Sequence, residues 1–403
     1  MAKLIEITGK ALSGEWGTDD ETGNGIPVLR TTNFTNEGIV DYSNVVTRNI
    51  VKKGIEEKYL RNGDIIIEKS GGSDKQPVGR VIYFDGPEHT YLFNNFTGLL
   101  RVKNQEKWHP RYVFYSLFTN YRSGGTRTFQ NKTTGLHNLK TDDYVSSFNV
   151  TEIDIATQEA ICKKLDLVSG IIRMHQKQLQ KLDDLVKARF VEMFGDMLLN
   201  DMTWQESTLD TLADVVSGIT KGRKIRETEL IEVPYMAVSN VKDGYIDWTT
   251  VKTIMATKQE IEQYRLLPYD VLMTEGGDPD KLGRGSVITK PLKNSIHQNH
   301  IFRVRLQTGR ILPVYFSEYL QHQKAKRYFL GCAKQTTGIA SINMKQLRAL
   351  PVLVPPLKLQ EQFAAFVEQT DKSKVIEAIY KTNTLFNITL SGGSRYDIRA
   401  NEF

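Results

Sequence analysis

Asp64-Ile65-Ile66-Ile67-Glu68-Lys69-Ser70-Gly71-Gly72-Ser73-Asp74-Lys75 reads as a buried strand that runs into a glycine loop and ends on a cation. The same grammar returns far downstream as Asp270-Val271-Leu272-Met273-Thr274-Glu275-Gly276-Gly277-Asp278-Pro279-Asp280-Lys281. Outward from this pair the matches continue in order. Gly79 and Val81 answer Gly285 and Val287, Asn95 answers Asn299, and Arg101-Val102-Lys103 answers Arg303-Val304-Arg305. Upstream, Ile26-Pro27-Val28-Leu29-Arg30-Thr31-Thr32-Asn33-Phe34 faces Val233-Pro234-Tyr235-Met236-Ala237-Val238-Ser239-Asn240-Val241. Downstream, Thr133-Thr134-Gly135-Leu136 faces Thr336-Thr337-Gly338-Ile339, and Gln158-Glu159 faces Gln360-Glu361. So long a period is not that of a solenoid. It indicates two whole domains of one fold, each followed by the same kind of element.

That element is helical. From Gln158 to Phe194 there is no proline, and a seam runs Ile161, Leu165, Val168, Ile172, His175, Leu179, Leu182, Val186, Arg189, Met193. Alternating steps of four and three make the 3.5-residue repeat of a coiled coil, and Gly195 closes it. The alternative is a helix packed into a globular core. A second helix spans Leu359 to Phe386, after Pro355-Pro356; Phe363 and Val367 start its seam, and Ile376, Ile379 and Phe386 resume it out of phase. The modules between read as short strands and turns, with helices from Arg111 to Phe118 and from Pro313 to His322. The fold class expected is α+β: two similar domains separated by two long antiparallel coiled-coil helices, with pseudo-twofold symmetry. The boundaries expected are 1–152, a helix over 153–200, 201–355, a helix over 356–390, and a polar tail 391–403.

Composition narrows the class. Of 403 residues 40% are hydrophobic and 25% charged, which excludes wholesale disorder. No apolar run approaches the roughly 20 residues that cross a bilayer. Glu6 interrupts the first apolar run, so a signal peptide is not expected. Cys162 and Cys332 are too few for a disulfide framework and suit a reducing cytosol. The net charge of +6 sits mainly in residues 201–355, which carry 21 basic and 16 acidic side chains. An Asn/Asp-Pro-Pro-aromatic segment for holding a flipped base is missing. Asp278-Pro279-Asp280-Lys281 has a nuclease-like look but lies in the loop both modules share. His297-x-x-His300 has no further ligands to complete a zinc site and reads as exposed loop histidines.

Under a twofold axis the two helices would be antiparallel and the modules would sit at opposite ends of a rod, as dimeric DNA readers space their heads. The repeated Asp-apolar-apolar, Gly-Gly, Lys segment, the Thr-Thr-Gly segments and Pro355-Pro356-Leu357-x-x-Gln360-Glu361-Gln362 carry a family resemblance. Over roughly residues 1–390 the chain resembles the specificity subunit of a type I restriction–modification enzyme. The resemblance implies a non-catalytic, cytoplasmic DNA reader of a bacterium or archaeon, with two target-recognition domains for a bipartite asymmetric site in double-stranded DNA. It implies two copies of a modification subunit along the helices, with S-adenosylmethionine and adenine-N6 methylation on that partner and no cofactor in this chain. A restriction subunit can join such an assembly. The chain departs from the family in its shorter, less regular second helix, cut off by Gly392-Gly393-Ser394. Two other readings are a two-headed protein scaffold that binds no DNA, and the DNA-reading subunit of a related type II methyltransferase–nuclease system.

The DNA-contact candidates come in pairs. Lys69, Ser70 and Lys75 flank one glycine loop and Lys281 ends the other, where glycine admits a phosphate to backbone N–H groups. Arg80 and Arg284 follow, and the alternative is a plain hairpin loop. Lys132, Thr133 and Thr134 match Lys334, Gln335 and Thr336, side chains able to meet bases or phosphates, or else a solvated turn. Arg30 stands beside Asn33; Asn33 with Asn240, and Asn95 with Asn299, either meet DNA or close a turn. Leu165, Ile172, Leu179, Val186, Phe363, Val367 and Ile379 mark the partner-binding helices, and the seam residues His175 and Arg189 set register or face a partner. Phe93-Asn94-Asn95-Phe96 against His297-Gln298-Asn299-His300 predicts unequal half-sites.

Overall fold

The computed structural model describes residues 1–73, 76–133, 136–224, 229–278, 281–336 and 339–391, with no side-chain description beyond Lys374. The chain forms two compact units, one built on residues 1–173 and one on 174–383.

In the first unit an antiparallel sheet orders the strands Leu12–Ser13, Thr97–Leu100, Ile65–Glu68 and Val81–Tyr83. The Ile65–Glu68 strand is wholly buried because both its faces are covered. Ile65 and Ile67 pack with Trp108, Phe114 and Leu117, and Ile66 packs with Leu29, Phe84 and Phe93 on the other face. A second sheet holds Thr18–Asp19, Val46–Asn49, Ile26–Leu29 and Leu92–Phe93, the last in parallel. A third pairs Gln130–Thr133, Leu136–Leu139 and Ser70–Gly72.

The second unit repeats this plan. Its sheets order Ala213–Ser217, Ile301–Leu306, Val271–Thr274 and Gly285–Val287; then Lys252–Ala256, Ile231–Met236 and, in parallel, Ile296–His297; then Lys334–Thr336, Ile339–Ser341 and Gly276–Gly277. Helices expected near residues 111–118 and 313–322 form as Pro110–Arg122 and Pro313–Tyr319, each with proline in its first turn, where a missing N–H costs nothing.

The ladders correct two matches made from sequence. Ile65 pairs with Leu100 and Val271 with Val304, so Arg101 corresponds to Arg305 and not to Arg303. Val81 lies opposite Ile67 and Gly285 opposite Met273, so Gly79 corresponds to Gly283. The ion pairs agree. Arg101 forks onto Asp64 at 2.7 Å through both Nε and Nη2, and Arg305 forks onto Asp270 at 2.8 Å in the same way.

Each long helix is fixed to its module by a buried glutamine. Gln158 accepts from the His109 N–H at 2.9 Å and donates to the carbonyls of Lys107 and Ile153 at 3.0 and 2.9 Å. Gln360 accepts from the Leu312 N–H at 2.8 Å and donates to Arg310 and Pro355 at 3.2 and 2.8 Å. The first helix runs Ile155–Phe194 and the second Leu357–Ser391. Within the second unit they lie antiparallel. Phe194 and Phe190 meet Phe363, the Arg189 guanidinium lies 5.8 Å from the Phe366 ring centroid, and Lys374 pairs with Asp183 at 2.8 Å.

Over this stretch His175, Leu179, Leu182, Val186, Arg189 and Met193 are buried or half-buried, as the seam requires. Phe190 and Phe194, outside the seam, are fully buried against Tyr315 and Phe363, because here the helix also forms part of the module core. Val186 and Phe363 are 8% and 0% exposed, inside the chain's own core. Leu165, Ile172, Leu179 and Val367 are half-buried, and the Ile379 side chain lies outside the described residues, as does the tail from 392. The apolar side chains the first helix leaves exposed are Leu167, Met174, Leu185 and Val191.

Candidate nucleic-acid interface

The structure brings the two glycine-containing motifs of each module into one sheet. Ser70 lies opposite Asn138 and Gly72 opposite His137, on the inner strand of the hairpin that carries Lys132 and Thr133. Gly276 lies opposite Ser341 and Gly277 opposite Ala340, on the hairpin that carries Lys334, Gln335 and Thr336. Glycine is required at 72, where a Cβ would stand 2.4 Å from the Val78 nitrogen. Lys75 and Thr134 lie outside the described residues, as do the side chains of Lys132, Thr133, Gln335 and Thr336. Lys334 is exposed, and exposed Lys281 pairs with Asp278. Lys69 is half-buried and donates to Ser13 Oγ at 3.0 Å; burial pushes its ammonium below the usual lysine range.

Asn33 and Asn240 do one internal job. Asn33 accepts from the Arg30 N–H at 2.9 Å and donates to the carbonyls of Asp41 and Asn44 at 2.9 and 3.1 Å. Asn240 accepts from the Ala237 N–H and donates to Asp247, both at 2.9 Å. Both are buried, and their amides close a turn. Asn95 is exposed; Asn299 is half-buried, with Nδ2 3.3 Å from His300 Nε2.

Arg80 is fully engaged. Its Nε and Nη2 fork onto buried Glu68 at 3.2 and 2.9 Å, while Nη1 and Nη2 donate to the carbonyls of Phe34 and Thr31, each at 3.1 Å. Its counterpart Arg284 makes no such pair among the described residues, where its buried Nε has no hydrogen-bond partner. Arg30 donates from Nη2 to the Asn44 carbonyl at 3.3 Å, and its buried Nε is also without a partner among the described residues.

The modules differ where strand and loop meet. The Lys69 N–H donates to the Phe96 carbonyl at 2.8 Å, and the Glu275 N–H donates to the His300 carbonyl at 3.0 Å, so these are equivalent positions. One module presents lysine beside an exposed phenyl ring; the other presents Glu275 bonded to exposed His300 at 2.5 Å. The expectation for the histidines is half overturned. His297 is a core residue, 0% exposed, on a strand equivalent to the one bearing buried Phe93. Burial pushes its imidazole down to about 4. Among the described residues no cluster of three or more His, Cys, Asp or Glu is placed to hold a metal, and no helix is long and apolar enough to cross a membrane.

A family model described as the type I restriction modification DNA specificity domain matches residues 2–184 and again residues 202–385. The specificity subunit of the type I restriction enzyme EcoKI of Escherichia coli K12 is 24% identical over 404 residues, covering 93% of this chain and 83% of that protein. The StySPI specificity subunit of Salmonella potsdam is 24% identical over 406 residues, with the same coverage. The crystal structure of a type I S subunit from M. genitalium superimposes with a TM-score of 0.54 at 13% identity, over 96% of this chain and 93% of that one, and shows the same fold. With two copies of the domain along its length, the chain belongs to the type I restriction–modification DNA specificity family, as a non-catalytic specificity subunit.

Proposed function

We propose that the chain reads a bipartite, asymmetric site in double-stranded DNA, one half per module, and positions two adenine-N6 methyltransferase subunits along its helices. S-adenosylmethionine belongs to those partners, restriction subunits can join, and the assembly works in the cytoplasm of a bacterium or archaeon. The modules are residues 1–152 and 201–355, with helices over 153–200 and 356–390 between and after them. One observation carries the reading: the same glycine-strand and hairpin sheet is built twice, with different side chains on it.

Lys69, Ser70, Lys75, Asn95, Lys132, Thr133 and Thr134 form the DNA face of the first module. Lys281, Asn299, Lys334, Gln335 and Thr336 form that of the second, with Glu275 and His300 added. A carboxylate there suits the N4 amino group of cytosine, whereas lysine suits a guanine or a phosphate. The buried amides of Asn33 and Asn240 shape the turn beneath the face. The exposed side chains Leu167, Met174, Leu185 and Val191 supply apolar contact for the methyltransferase.

The test is co-expression with the methyltransferase subunit encoded beside the gene and mapping of N6-methyladenine in host DNA. The expected result is a split motif of two short unequal halves with a fixed gap. Exchanging residues 201–355 for those of another specificity subunit then changes one half alone. An active, assembled complex that marks no motif overturns the reading and favours the protein scaffold.

A further inference from the structure

The strand register places Glu68 with Thr274 and Arg80 with Arg284. The short turns Thr31–Asn33 and Val238–Asn240 place Arg30 with Ala237. In the first module the three places adjoin through Arg80, which bonds Glu68 and the carbonyl of Thr31, the residue after Arg30. The glycine strand lies over it, with the Cβ direction of Gly71 3.1 Å from Glu68 Oε1.

The two clusters are charged differently. Glu68, its side chain 2% exposed, neutralises Arg80, which leaves Arg30 as the cation without a carboxylate among the described residues. In the second module both features are inverted. Ala237 supplies no cation, and Thr274 takes the place of the acid; it is 0% exposed, and its Oγ1 has no hydrogen-bond partner among the described residues. Arg284 is therefore released from that pair and is half-buried, with its Nε unpaired among the described residues; the exposed Asp278 lies near it, its carboxyl held below the usual range by Lys281 first and by Arg284 in lesser part. A guanidinium half out of water without acceptors is unfavourable unless a ligand supplies them.

We propose that Arg30 in the first module and Arg284 in the second are the matching DNA-contacting guanidiniums, exchanged between two positions of one cluster, while Arg80 is an internal strut. Each is satisfied by an acceptor on bound duplex DNA, either a phosphate oxygen or guanine O6 and N7. This rests on the DNA-reading function proposed above. It also explains why Thr274 differs from Glu68: a carboxylate at 274 would occupy the arginine that has to face outward.

The experiment uses the assembled methyltransferase complex and a duplex carrying its own methylated motif, titrated from 50 to 200 mM salt. Arg284→Ala and Arg30→Ala are each expected to weaken binding about 10- to 100-fold. Thr274→Glu, which rebuilds the ion pair of the first module under Arg284, has the same effect as Arg284→Ala and adds nothing to it in the double variant. A phosphate contact appears as a salt slope lower by about one with the motif unchanged. A guanine contact appears as a motif relaxed at one position, in the second half for Arg284 and in the first for Arg30. If variant complexes assemble yet keep wild-type affinity, slope and motif, the inference fails while the DNA-reading function stands. If the wild-type complex binds no duplex, that function fails, and this inference with it.

Discussion

Arg101→Ala lowers the stability of the first unit by ~3–5 kcal/mol, and Arg305→Ala costs the second unit a loss toward the lower end of that range. The side chains of Asp64 and Asp270 are 2% and 1% exposed. Each carboxylate takes two guanidinium N–H groups and one backbone N–H, from Arg61 at 2.8 Å and from Leu267 at 2.7 Å. Truncating the arginine leaves an ionised carboxylate in the interior with one donor, which costs far more than losing a surface pair. Arg305 is the more exposed of the two cations, at 36% against 23%, so water replaces more of what it gave.

Arg303 provides the contrast, since the Asp214 it holds is 61% exposed and can turn to solvent. Arg303→Ala therefore loses less than Arg305→Ala. Urea unfolding followed separately in each unit would measure this. Equal losses at 303 and 305 would sink the assignment of Arg305 as the counterpart of Arg101.

That assignment marks a limit of reading the sequence. The duplicated strand, the glycine loop and the Thr-Thr-Gly hairpin were legible because glycine turns and apolar runs are local signals. The arginine match was not, because a strand has period two and a slip of two residues returns every side chain to the same face. Arg-Val-Lys fits Arg303-Val304-Arg305 by pattern; the strand register, and with it the aspartate each arginine reaches, fixes which one answers Arg101.

The helices gave the same lesson. The seam of the first was legible as a 3.5-residue repeat, but the repeat does not say whether the seam faces a partner or the chain itself. Val186, buried in the module core, and Arg189, over the Phe366 ring, show that it faces inward in the second unit. Gln158 and Gln360 were visible as a match, but their three-way hold on separate backbone segments depends on chain folded from elsewhere.

His297 was misread for a related reason, since a histidine among Gln, Asn and His looks like loop, and its replacement carries the second large effect. The ring is fully buried, with Nδ1 3.3 Å from the Tyr264 carbonyl and Nε2 3.3 Å from that of Val216. A neutral ring can donate to only one of these at a time. Burial is the larger influence and pushes the imidazole from 6.5 to about 4. Between those values the unfolded chain binds a proton that the folded chain refuses, so stability falls as the pH falls. The contribution is intact above about pH 6.5, has lost roughly 2 kcal/mol by pH 5, and has lost roughly 3 kcal/mol near pH 4. Phe93 fills the equivalent place in the first unit at 0% exposure, so the fold accepts a phenyl ring there. His297→Phe removes this proton uptake while leaving the carboxylates of the second unit to titrate as before. The difference between wild-type and variant unfolding free energies from pH 7.5 to pH 4.5 isolates the histidine. Parallel curves would mean that the ring protonates in place, and that the strand it sits on opens to water more readily than its burial indicates.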